Sequence, residues 1–252
     1  MFSSFVSDWF DTNKPSNAFI FSNINNSPKN IYYKTIYDLI NDNDTTHNQI
    51  KAVSLKFQKI LSLEIEQFII QRMLNGHYAN HLQNQGGRYE IIPTFLKCYN
   101  CQKEFKQIHT ETKIPNLNIN LFPVVCTLWN HHRLPENLKT IGQLVNNPFK
   151  ANLNHRATYF YPLNVTVVQN GNHSGNVALY ESNTKLKNLF ISSIEHWYSD
   201  IIYKPQDNAF YHINCNCNLT PTGLFHENIG YLYELSKLLY ENDLTFDIND
   251  LR

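Results

Sequence analysis

The run Val167-Val168-Gln169-Asn170-Gly171-Asn172-His173-Ser174, continued by Gly175-Asn176-Val177-Ala178-Leu179-Tyr180, holds the residue types best suited to chemistry in this chain. A β-branched segment enters an Asn-Gly turn, and the turn delivers Asn172, His173 and Ser174 to the start of an expected helix. Backbone N–H groups at a helix start attract anions, and a glycine such as Gly171 lets a phosphate approach the backbone closely. His173 is the candidate general acid or base, because an imidazole titrates near neutrality. Ser174 reads as an N-cap and Asn172 as a residue that tolerates left-handed geometry beside Gly171. The same letters also spell an ordinary hairpin turn.

Two further segments carry polar residues of the same kind: Trp129-Asn130-His131-His132-Arg133-Leu134-Pro135 and Asn154-His155-Arg156. Arg133 and Arg156 are candidate countercharges for an anion. Arg156 is the stronger, because a strand end fixes its backbone, whereas Arg133 sits in a polar loop where a solvated arginine is the default. His131 and His132 are adjacent, so their rings are expected to diverge and not to share a metal. The candidate set is therefore His173 and Arg156 as catalytic residues, with Gly171, Asn172, Ser174, Arg133, His155 and Asn130 binding the ligand. Glu181 and Glu195 are carboxylates close enough in sequence to be considered beside a metal, and exposed helix positions explain them equally well.

The five cysteines compete for attention. Cys98-Tyr99-Asn100-Cys101 has the spacing of a metal knuckle, and Phe105 and His109 extend it superficially toward a finger, but the second histidine is missing. Cys215 and Cys217 could complete a four-thiolate set, although a single intervening residue is unusual for zinc. The expectation is free thiols whose sulfurs do not converge, and no metal ligand is assigned. Cys126 lies in an apolar segment and reads as core. Its pairing with His131 or His173 as a nucleophile has no local signature.

The elements that must position these residues follow from periodicity. Residues 31–40 read as a short helix ended by Asn41-Asp42-Asn43-Asp44. A longer helix runs from about Asn48 to Leu74, its apolar positions (Ile50, Val53, Phe57, Ile60, Leu61, Ile65, Phe68, Ile69, Met73) recurring every three or four residues. Residues 91–96 and 123–129 read as strands, 135–145 as a helix opened by Pro135, and 159–168 as the strongest strand. Helices are expected over 175–180, 186–202 and 224–240. The first thirty residues, with Trp9, read as an irregular arm. The pattern predicts an α+β protein: a helical N-terminal extension over 1–87 and an α+β core with C-terminal helices over 88–252.

Composition excludes several classes. Twenty-one basic and 21 acidic residues leave no net charge, so no global field draws the chain onto nucleic acid. No apolar run is long enough for a membrane span, and no secretory leader is visible, so a cytoplasmic protein is expected.

The order of motifs between Val124 and Tyr180 resembles the ParB/sulfiredoxin-like family. Asn130 and Arg133 match that family's early loop, and Asn170-Gly171-Asn172-His173, with Ala178 and Tyr180, looks like its later turn. The resemblance implies a ParB/sulfiredoxin-like core with a nucleotide-sized pocket, phosphates over Gly171–Ser174, and Mg²⁺ arriving with the nucleotide. The departures are specific. Asn172 stands where sulfiredoxin chemistry needs a cysteine, and Ser174 replaces the arginine that follows the histidine. No DNA-reading helix-turn-helix or basic face is visible. The expected function is a nucleotide- or phosphate-binding protein that hydrolyses or transfers phosphate. The alternatives are a nuclease or nucleic-acid-handling component of a mobile-element or phage-defence system, and a non-catalytic interaction protein whose 15 tyrosines and 16 phenylalanines serve partner surfaces.

Overall fold

Helix α1 (Asn30–Ile40) and helix α2 (His47–Leu74) form where the apolar spacing predicts them. A computed structural model of the chain describes residues 29–75, 90–246 and 250. The N-terminal arm and the division at residues 87 and 88 lie outside those residues. α2 begins on a capping box: Thr46 Oγ1 accepts from the Gln49 amide, and Gln49 Oε1 accepts from the Thr46 amide.

The buried face of α2 is not purely apolar. Among Ile50, Leu61, Ile65, Ile69 and Met73 it buries Ser54, Gln58, Ser62 and Glu66, four residues apart and so stacked on one side of the helix. Ser54 and Ser62 donate back to Ile50 O and Lys59 O, and Gln58 Oε1 accepts from Asn164 Nδ2. Glu66 accepts from the Cys126 amide at 2.6 Å and from Asn176 Nδ2. Ile60, expected inward, is exposed.

Strands β1 (Phe95–Lys97) and β2 (Glu104–Lys106) form a hairpin around Cys98–Lys103. The main sheet has five strands: β3 (Ile108–Asn118), β4 (Val124–Cys126), β5 (Arg156–Tyr161), β6 (Val165–Asn170) and β7 (Lys185–Ser193). Their spatial order is β3–β7–β5–β6–β4, with β7–β5 and β6–β4 parallel and the other pairs antiparallel. Helix α3 (Arg133–Thr140) follows β4, and helix α4 (Asn172–Ala178) follows β6. A second, antiparallel sheet contains β8 (Ile201–Lys204), β9 (Ala209–His212) and β10 (Cys217–Asn218), and helix α5 (Glu227–Glu241) closes the fold. The class is α+β, as the pattern predicts.

Strand alternation sends side chains to opposite faces of the main sheet. Val125, Phe160, Val165 and Val167 join a core shared with α1, α2 and α5, while Val124, Cys126, Tyr159, Val168 and Ile191 join a second core on the other face. The N-terminal helices are thus part of the same packed body as the sheet.

Several expectations are corrected. The segment 159–168 is two strands, β5 and β6, joined by a turn through Pro162 and Asn164, the latter at φ +57°. Residues 186–202 form β7, a 3₁₀ turn (Glu195–Trp197) and the start of β8 instead of a helix. The cause is local: Asn188 sits at φ +55° and breaks the alternation, so Leu186 and Leu189 both point inward three residues apart and imitate helical spacing. α3 stops before Gly142 (φ +144°), leaving Leu144 and Val145 exposed on a separate 3₁₀ turn. Residues 91–94 are irregular, and no strand is expected at β8 to β10.

Candidate functional site

β4 and β6 run parallel side by side, so their carboxyl ends deliver the chain to one place. From β4 the chain continues to Trp129, Asn130 and Arg133; from β6 it turns at Gly171 into α4. β5 is antiparallel to β6, and Arg156 pairs with Asn170, so Asn154 and His155 arrive at the same edge. The three polar segments of the sequence therefore meet where neighbouring strands end, a usual place for a ligand site.

They enclose a cavity of about 440 Å³ lined by Arg133, His155, Gly171, Asn172, His173 and Ser174, together with Trp129 and the side chains of four more asparagines, 137, 152, 154 and 170. Its size falls in the ordinary range for small-molecule sites. Six of the eight proposed residues are in its wall. Asn130 acts from behind it: its Oδ1 accepts from the amides of His132 and Arg133 and its own amide reaches His173 Nε2 at 3.2 Å, which fixes the loop that carries Arg133. Arg156 is elsewhere. It lines an adjoining cavity of about 790 Å³ with Lys113, Lys187 and Phe190, and His155 and Asn152 form part of both walls. A β-bulge between Arg156 and Ala157 accompanies this separation.

Gly171 is required by two things at once. It adopts φ +74° as the residue preceding α4, and a Cβ there would stand 2.6 Å from His155 Cδ2. Ser174 is not the N-cap; it lies inside the helix, and its hydroxyl donates to Gly171 O at 3.0 Å. His155 Nε2 stands 2.9 Å from that hydroxyl. His155 Nδ1 lies 3.0 Å from both the Asn152 amide and Asn152 Oδ1, the first suited by a proton on Nε2 and the second by a proton on Nδ1. Ser174 is accordingly a link in a chain of contacts that runs from Asn152 through His155 to Gly171 O.

His173 is buried, and burial holds its pKa below the ordinary imidazole range, as does the positive charge of Arg133. A neutral ring whose Nε2 accepts from Asn130 carries its proton on Nδ1, so it can donate to a ligand but has no free lone pair with which to act as a base. Burial also lowers the pKa of His155. Arg133 lies over the Trp129 ring at 5.0 Å, and Trp129 meets His173 edge-on at 5.6 Å. Asn172 Nδ2 is anchored on Thr127 O, while its Oδ1 is buried with no hydrogen-bond partner among the described residues.

No carboxylate among the described residues lines either cavity; the charged walls are Arg133 in one and Lys113, Arg156 and Lys187 in the other. Glu181 points away, its Oε2 accepting from the Gln143 amide. Cys126 is fully buried, and burial pushes its thiol well above the ordinary value, so it is inert core. His131 and His132 do not diverge: their ring centroids lie 3.8 Å apart, the planes tilted by 43°. A family profile described as a family of unknown function, DUF6710, matches residues 15–246, nearly the whole chain. The chain belongs to that family. No curated protein and no solved structure matches this DUF6710 chain.

The cysteines of this DUF6710 protein correct an expectation. Cys98, Cys101 and Cys215 do converge, and the fourth member is His212, not Cys217: the donor atoms of all four lie within 4.8 Å of one another. Burial opposes ionisation of Cys98, but hydrogen bonds from Cys101, Asn100 and Cys217 outweigh it and bring the thiol down to about 7. The missed signal was His212-x-x-Cys215, which repeats the spacing of Cys98-x-x-Cys101 with a different first ligand.

Proposed function

We propose that this protein binds a nucleotide, or a ligand of the same chemistry, with its phosphates against Arg133 and its aromatic ring at Trp129. The observation that carries the reading is the wall of the 440 Å³ cavity: one guanidinium, two neutral imidazoles, five asparagines and an exposed indole, with no carboxylate. An anion is favoured by that charge, and a ligand with donors as well as acceptors is favoured by Asn172, whose buried Oδ1 lacks a partner. His173 Nδ1–H is a donor to the same ligand. α4, at seven residues, adds little as a dipole, so side chains carry the recognition. Mg²⁺ would enter with the phosphates, which together with water supply most of its ligands.

The ParB/sulfiredoxin-like resemblance of residues 124–180 agrees with this placement, and a cytoplasmic setting suits five free thiols. No helix among the described residues is long and apolar enough to cross a membrane. A second reading has one observation of its own. The adjoining cavity sets Lys113, Arg156 and Lys187 around Phe190, with Lys113 Nζ 4.7 Å from the ring centroid, a combination of charge and aromatic surface that suits single-stranded nucleic acid.

The test is a thermal-shift and calorimetric screen of the purified chain with ATP, GTP, their diphosphates and inorganic phosphate, with and without Mg²⁺. Nucleotides are expected to raise Tm, and Arg133→Ala to weaken binding at least tenfold. No shift with any nucleotide at millimolar concentration would end the first reading. Binding of labelled oligonucleotides that is abolished by Lys113→Glu with Lys187→Glu, and untouched by Arg133→Ala, would favour the second.

A further inference from the structure

Cys98 and Cys101 sit in the β1–β2 turn; His212 and Cys215 sit in the β9–β10 turn, more than a hundred residues later. The two turns have the same construction. In each, two donors are separated by two residues, and the residue after the second donor is left-handed: Gln102 at φ +61° and Asn216 at φ +48°. In each, the amide of the second donor turns back toward the first: the Cys101 amide bonds Cys98, and the Cys215 amide reaches His212 Nδ1 at 3.2 Å, a bond that nitrogen gives up when its one lone pair takes a metal. The Cys98 amide closes the first turn on Lys103 O at 2.8 Å, and Asn100 Nδ2 ties it to Cys215 O at 3.3 Å in the second.

The geometry points to a structural zinc site in which Cys98, Cys101, Cys215 and His212 Nδ1 hold one ion tetrahedrally. Zinc–sulfur bonds of about 2.3 Å place tetrahedral donors roughly 3.7 Å apart, and the four donors already lie within 4.8 Å of one another. Three soft thiolates and one imidazole select zinc over calcium or magnesium, which take oxygen. Four protein ligands leave no open position, so the ion is structural and not catalytic. The outer surroundings fit as well. His212 is buried with Nε2 unpartnered among the described residues, and Asp200 Oδ1, held by Lys103 at 2.8 Å, stands 3.8 Å from it. A carboxylate on the far nitrogen is how zinc-bound histidines are usually oriented.

The ion has a mechanical purpose. A hairpin of two three-residue strands is not stable alone, and this one joins the rest of the molecule beside a three-stranded sheet that is itself small. One metal crosslinks both turns.

Metal analysis of the untagged, full-length chain after exhaustive dialysis is expected to find about one zinc per chain. Cys101→Ser with Cys215→Ser should lose it. Cys217→Ser should keep it, and His212→Cys should keep it in a four-sulfur site. Cobalt(II) in place of zinc gives a readout that does not depend on variants: intense visible bands of tetrahedral cobalt with thiolate-to-metal charge transfer. A metal-free purified chain that neither takes up stoichiometric zinc nor gives that spectrum, or one in which Cys98, Cys101 or Cys215 proves disulfide-bonded, overturns the proposal. Loss of zinc in Cys217→Ser but not in His212→Ala would overturn the ligand assignment.

Discussion

At the scale of single residues, the site depends on positions that tolerate no substitute. Gly171→Ala combines a left-handed φ with a Cβ driven into the His155 ring. It is expected to destabilise the fold by about 1–3 kcal/mol and to collapse the cavity wall, lowering Tm and ligand affinity together. Arg133→Ala should leave Tm nearly unchanged and weaken binding in a salt-dependent way, because an exposed guanidinium contributes mainly charge. His173 separates two roles. If it only donates to the ligand, His173→Asn should retain much of the affinity that His173→Ala loses. If it transfers protons in a turnover reaction, both variants should lose about 10²–10⁴-fold in rate at unchanged affinity. The histidines also set an acid limit. With folded pKa values held below the ordinary range, His155 and His173 resist protons that the unfolded chain accepts near pH 6.5, so their stabilising contribution is lost as pH falls below that value. Between pH 7 and 5 the urea midpoint of the wild type should therefore fall relative to that of His155→Gln, a difference from which the other titrating groups cancel.

At the scale of elements, legibility followed the regularity of the chain. α1, α2 and α5 were readable because tens of residues keep a helical rhythm. β7 was not, because left-handed Asn188 shifted its phase. β8 to β10 were invisible because strands of two to four residues leave no periodic signal. α5 carries a prediction of its own. Gly230 lies in its interior, where alanine would ordinarily be favoured by about 1 kcal/mol. Here an added Cβ would stand 2.2 Å from the Tyr203 ring, because the helix backbone packs directly on β8. Gly230→Ala should therefore destabilise by about 1–3 kcal/mol despite its better helix propensity, a reversal that denaturant titration can read.

At the scale of the whole molecule, one buried carboxylate joins the layers. Glu66 on α2 holds the Cys126 amide of β4 and Asn176 of α4, and burial pushes its pKa up to about 8. Burial likewise raises Glu234 on α5 to about 7. The sign is opposite to that of the histidines. The unfolded chain releases these protons near pH 4.5 while the folded one keeps them, so their contribution is complete below that pH and is lost as pH rises through 7 to 8. Stability should decline between pH 6.5 and 8 by about 1 kcal/mol per unit, and Glu66→Gln should flatten that slope. None of this was legible, since hydrophobic periodicity treats Ser54, Gln58, Ser62 and Glu66 as gaps in an apolar face. The cavity was more readable: its charged and turn-forming residues stand out by type, whereas Asn137 and Asn152 enter it only through folding.

The sheet order also governs how this molecule comes into being. Among the described residues β3 is an edge strand paired with β7 alone, which lies some seventy residues further along the chain and must also accept β5 on its other side. During synthesis β3 emerges long before anything can pair with it. Its first half, Ile108-His109-Thr110-Glu111-Thr112-Lys113, is polar and exposed even in the finished protein, and Pro115 interrupts its donors. Those features discourage stray pairing with other nascent chains during the wait. The closing of β7 between its two neighbours is the event that turns a collection of hairpins and helices into this fold, and it is expected to limit the rate, because so distant a pairing must first meet its loop-closure entropy.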